Sequence, residues 1–69
     1  MNITSLLNWL NNHKRMVIAA LSLCNSVKLP DGWRIEKSGV MPGMVKITSQ
    51  DKVTFPATHE SGEFEIGWI

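Results

Sequence analysis

Hydrophobic and polar residues alternate along this chain in two different rhythms, and the change falls near residue 30. From Thr4 to about Ser26 the period is helical. Placed every 100° around an axis, Ile3, Leu6, Leu7, Leu10, Val17, Ala20, Leu21 and Cys24 share one broad face, while Asn8, Asn11, Asn12, Arg15 and Ser22 lie opposite. We read one amphipathic helix here. Thr4 or Asn2 is expected to cap its first turn, Asn25 to end it in a left-handed conformation, and Pro30 to forbid its continuation. Asn11-Asn12-His13 is the weakest helical stretch and the place for a kink or break.

Beyond the turn Leu29-Pro30-Asp31-Gly32 the period drops to two. Trp33 and Ile35 alternate with Arg34 and Glu36, Val45 and Ile47 with Lys46 and Thr48, and Phe64, Ile66 and Trp68 with Glu63 and Glu65. Strands are predicted over about 33–37, 44–49, 52–55 and 63–69. Ser38-Gly39 or Pro42-Gly43 forms the first hairpin turn, Gln50-Asp51 the next, and Pro56 ends the third strand or holds it at an edge. The expected inner face is Trp33, Ile35, Val45, Ile47, Val53, Phe55, Phe64, Ile66 and Trp68. The implied fold is α+β and two-layered: an N-terminal helix on an antiparallel meander of three or four strands, forming one domain over residues 1–69.

The helical segment is greasier than one sheet requires. In Met16 to Cys24 the apolar residues run almost all the way round, with Met16, Ile18, Ala19 and Leu23 pointing away from the Leu6–Leu10–Val17–Leu21 side. A helix apolar on all sides is covered on more than one side. Either the chain wraps over the second side, or a partner protein or a symmetric copy packs there. Met41 and Met44, flanking Pro42 and Gly43, are expected to form an apolar hairpin tip. Together with Met16, Ile18, Ala19 and Leu23, they are the candidate protein interface. Trp9 sits at the border of the apolar face, and each of the three Trp is first a core residue.

Composition narrows the functional classes. With 69 residues, 43% hydrophobic and 19% charged, the chain is neither disordered nor low-complexity. One Cys excludes an internal disulfide framework and suits a reducing cytoplasm, and one Cys with two His does not close a four-ligand zinc site. The +1 net charge hides an asymmetry: residues 1–30 carry Lys14, Arg15 and Lys28 with no acid, and the remainder is net negative. His13-Lys14-Arg15 before the run Met16–Cys24 resembles the opening of a lipoprotein signal, but the bulky Leu23 stands where a small residue must precede the cysteine. This nine-residue run, apolar but for Ser22, spans about half a bilayer core, so no transmembrane helix is expected.

Catalytic chemistry finds few candidates. His13 and Cys24 are eleven residues apart, about 16 Å along a straight helix, and Cys24 is expected to be a buried, inert thiol. His59-Glu60 lies in a polar loop with Asp51 possible as a neighbour. Glu60, Glu63 and Glu65 make a small acidic patch that charge protection of an edge strand explains. Phosphate-binding, zinc-protease, nucleophile-elbow and calcium-loop motifs are absent from the sequence. No enzyme, cofactor or metal is expected. In size and make-up the chain is similar to the compact accessory proteins that phages and other mobile elements encode to modulate host machinery. The expectation is a small protein-binding module, inhibitor or adaptor, with homodimerisation as one form of the contact. The alternative is weak nucleic-acid binding by Lys14, Arg15, Lys28, Arg34 and Lys37 beside Trp33.

Overall fold

The computed structural model describes residues 1–67, so the reading of Trp68 as a core residue lies outside the described part. Two helices, α1 (Ile3–Asn12) and α2 (Lys14–Leu23), precede a five-stranded antiparallel meander. Its strands are β1 (Ser26–Lys28), β2 (Arg34–Lys37), β3 (Met44–Thr48), β4 (Thr54–Thr58) and β5 (Glu65–Ile66), adjacent in that order. The fold is α+β, with the helical layer packed on one face of the meander. Leu6, Leu10, Val17 and Leu21 from the helices meet Ile35, Val45, Ile47 and Ala57 from the sheet in one core.

The expected single helix is two. Residues 3–23 as one rod would measure about 31 Å, against a longest molecular extent of 26 Å. The break falls at His13, whose φ −125° and ψ 23° leave the helical region. Its N–H is shared between the carbonyls of Trp9 and Leu10, both at 3.1 Å, and its imidazole stacks on the Trp9 indole at 4.1 Å. Leu6, Leu10, Val17 and Leu21 thereby stay on the sheet across the break. Asn2, rather than Thr4, caps α1: its side-chain carbonyl accepts the Ser5 N–H at 2.8 Å.

The helical period also stops earlier than the pattern suggests. Cys24 is already extended, with φ −131° and ψ 152°, so the wheel no longer governs it and the thiol is exposed rather than buried. Asn25 is not left-handed; its carbonyl accepts the Lys37 N–H at 3.0 Å, at the start of a hairpin. That hairpin creates β1, a strand absent from the expected elements, in which only Ser26 falls within the expected helix. It is closed by Leu29 donating to the Trp33 carbonyl at 2.8 Å, across a turn in which Asp31 and Gly32 both adopt positive φ.

Both Gly-containing signals after β2 are used, one at each end of a loop. Gly39 and Gly43 take φ +76° and +90°, and Ser38 donates to Met44 at 3.0 Å to set the register. After β3, Ser49 and Val53 close a three-residue loop in which Lys52 is left-handed at φ 69°. The third predicted strand is therefore displaced: it starts at Thr54, and Val53 is exposed at the sheet's end. Pro56 does not end it. Its carbonyl accepts the Gly67 N–H, so the missing proline N–H faces the β5 side and the ladder to β3 is kept. Ala57 takes the fully buried place. Ile66, expected inside, is exposed on the short edge strand, while Phe64 just before it is buried.

Candidate functional site

Opposite residues of an antiparallel pair share a face, so the registers sort the sheet's side chains. Val27, Ile35, Val45, Ile47, Phe55 and Ala57 point to the helices. Lys28, Arg34, Glu36, Lys46, Thr48 and Thr54 occupy the other, polar face, where Lys46 lies 3.9 Å from Glu36. The five candidate nucleic-acid cations therefore divide. Lys28 and Arg34 are neighbours on the outer face, Lys37 sits on the helix side at the end of β2, and Lys14 and Arg15 are on α2. Trp33 is only 6% exposed, and its indole donates to the Met1 carbonyl at 3.3 Å, so its ring belongs to the core.

The candidate protein-interface residues divide more usefully. Successive helical residues turn by 100°, so with Val17 and Leu21 on the sheet, Ile18 emerges on one flank of α2. Met16 and Leu23 emerge on the other, about 140–160° away from Ile18. Ala19 points outward between them. The Ile18 flank faces the loop joining β2 and β3. Between them runs an open groove of about 430 Å³, walled by Ile18, Leu21 and Ser22 on one side and by the Lys37–Val45 segment and His59 on the other. Such a volume falls in the roughly 300–1,000 Å³ range of sites that hold drug-sized groups.

The groove is built by identifiable contacts. Gly39 gives room for Met44, whose sulfur would lie 2.7 Å from any added β-carbon, so the thioether is tucked against the loop and half-buried. Gly43 brings the loop against the next turn: its carbonyl accepts the His59 N–H at 3.0 Å. The His59 ring packs on Phe64 at 5.2 Å, which fixes the far wall. Val40 and Met41 have no such packing and stand 99% and 55% exposed at the rim. Among the described residues that wall the groove, the basic or titratable groups are Lys37 and His59, and none carries a carboxylate.

Of the six interface candidates, the structure thus brings Ile18, Met41 and Met44 together in one groove and leaves Met16, Ala19 and Leu23 outside it. Val40 and Lys37 were missed as groove residues. The signal available for Val40 was a β-branched apolar residue between two glycine turns, where no core position exists.

No family model, curated protein or solved structure matches the chain. Among the described residues no group of three or more His, Cys, Asp and Glu side chains is arranged to hold a metal ion, and no helix is long and apolar enough to cross a membrane.

The groove's dependence on Gly43 is testable. An added β-carbon there would sit 3.2 Å from the Glu60 backbone nitrogen, at a φ of +90°. Left-handed backbone costs an L side chain roughly 1–2 kcal/mol, and the backbone contact adds to it. Gly43→Ala is expected to lower the thermal midpoint by about 8–16 °C. Gly62→Ala, also at positive φ but with open space around it, should lose less in the same melting experiment.

Proposed function

We propose that this chain is a small, non-enzymatic protein-binding module of the cytoplasm, an inhibitor or adaptor that seats a short apolar segment of a larger partner in the groove between α2 and the β2–β3 loop. One observation carries this: Val40 and Met41, exposed and without a core role, face the half-buried Ile18 across a space lined mainly by apolar groups. Apolar rim residues over a preformed groove are the arrangement into which amphipathic helices and short peptides dock. Methionines at such rims adapt to differently shaped anchors. Lys37 and His59, with no acid among the described wall residues, favour a segment carrying a carboxylate beside its apolar anchors.

Selection from a random peptide-display library on the immobilised, folded chain tests this. Enriched peptides are expected to carry two or more large apolar residues and at least one Asp or Glu. Their affinity should fall at least tenfold, about 1.4 kcal/mol, in Ile18→Asp and in Met41→Asp. It should be unchanged in Thr54→Asp on the outer face. Peptides that bind folded Ile18→Asp and Met41→Asp as tightly as wild type would refute the assignment.

A further inference from the structure

The Met16–Leu23 flank of α2 faces away from the groove, and the last residue of the helix, Leu23, lies three residues before the first of β1, the strand at the sheet's edge. In an antiparallel ladder, alternate residues direct both backbone groups to the same neighbour. Asn25 accepts from Lys37, and Leu29 donates to Trp33, so Asn25, Val27 and Leu29 face β2. The N–H and C=O groups of Ser26 and Lys28 then point outward, off the edge. Beside that edge stands Leu23, 87% exposed at the end of α2.

We propose that this edge takes a second copy of the same chain, β1 against β1 in antiparallel register about a twofold axis at Val27. Ser26 then faces Lys28 of the second copy and Lys28 faces its Ser26. Each pair exchanges two N–H···O=C bonds, so all four outward groups on each edge are satisfied. The two sheets become one of ten strands, and the exposed Leu23 at the end of each α2 lies beside the junction. The groove, on the opposite flank, stays open.

Charge argues for a copy of this chain rather than any other strand. A lysine on a short edge strand ordinarily repels added strands. Across this twofold, the outer-face row reads Lys46, Glu36, Ser26, then Lys28 of the second copy and its Arg34. Ser26 is small. Lys28 of one copy therefore reaches over the other's serine towards Glu36, about 10 Å away between Cα atoms two strands apart. Both rows of the dimer gain this cation–carboxylate pairing.

Sedimentation across a concentration series tests the dimer and its register. Wild type should approach twice its 7.7 kDa mass. Lys28→Glu and Glu36→Lys, each placing like charges in both rows, should each raise the dissociation constant at least tenfold. Their equimolar mixture restores opposite charges in both rows and should dimerise like wild type. Leu23→Lys, at a position without core contacts, should also dissociate the dimer. In a Cys24→Ser background, Val27→Cys meets its own copy at about 4.5–5.5 Å between Cβ atoms and should form an intermolecular disulfide on mild oxidation. Native Cys24 atoms, six residues apart along the paired strands and about 20 Å distant, should not. Circular dichroism of each variant confirms folding. A monomer at every concentration would overturn the proposal. So would a dimer whose Val27→Cys form does not cross-link, or one indifferent to the charge reversals.

Discussion

Phe64→Ala is expected to leave the chain largely unfolded at modest temperature. Phe64 is 2% exposed and packs between the helical layer and His59, although it lies just outside β5. Its backbone is held by a side chain: Asn11 on α1 donates from Nδ2 to the Phe64 carbonyl at 3.2 Å and accepts the Phe64 N–H at 2.7 Å. The Asn11 amide thus does for this segment what a neighbouring strand would do, and ties the chain's end to its beginning. Removing a buried phenyl ring costs about 3–5 kcal/mol. A chain of this length has roughly 3–10 kcal/mol of stability in total. The thermal midpoint should fall by about 20 °C or more, and Phe64→Leu, which keeps most of the volume, should recover most of the loss. A fall of less than about 5 °C in Phe64→Ala would mean that the segment after β4 is not part of the core.

The second large effect contrasts two leucines two residues apart. Leu21 is 3% exposed, at the junction of the core and the groove floor, and Leu23 lies on the outer flank of the same helix. Leu21→Ala should lose about 2–5 kcal/mol in denaturant unfolding. Leu23→Ala should stay within about 0.5 kcal/mol when measured dilute, where no second copy is present. Equal losses at the two positions would mean that α2 is rotated about its axis from the orientation described.

The helical phase of Leu6, Leu10, Val17 and Leu21 and the twofold period of Ile35, Val45 and Ile47 were legible because one buried face governs each. The misses lie where that rule gives way. Cys24 follows the helical wheel on paper, but the helix has ended, and only the hairpin signal of Leu29-Pro30-Asp31-Gly32 between Val27 and Ile35 could have revealed β1. Ala57 is too small to announce itself as core, and Pro56 beside it argued for a break that its position facing β5 makes unnecessary. The greasy second side of α2 was legible, but its division was not. Which of Met16, Ile18, Ala19 and Leu23 face the loop depends on where a hairpin 20 residues later folds back, a long-range fact no local period contains.

The most direct test of the groove as the binding site is a two-dimensional amide NMR titration of the chain with a display-selected peptide, at concentrations of peptide spanning its affinity. Shifts confined to Ile18, Leu21, Ser22, the segment from Lys37 to Val45 and His59, with Thr48 and Thr54 on the outer face unmoved, are the result expected. Shifts centred on the outer sheet face, with Ile18, Val40 and Met41 unchanged, would contradict it.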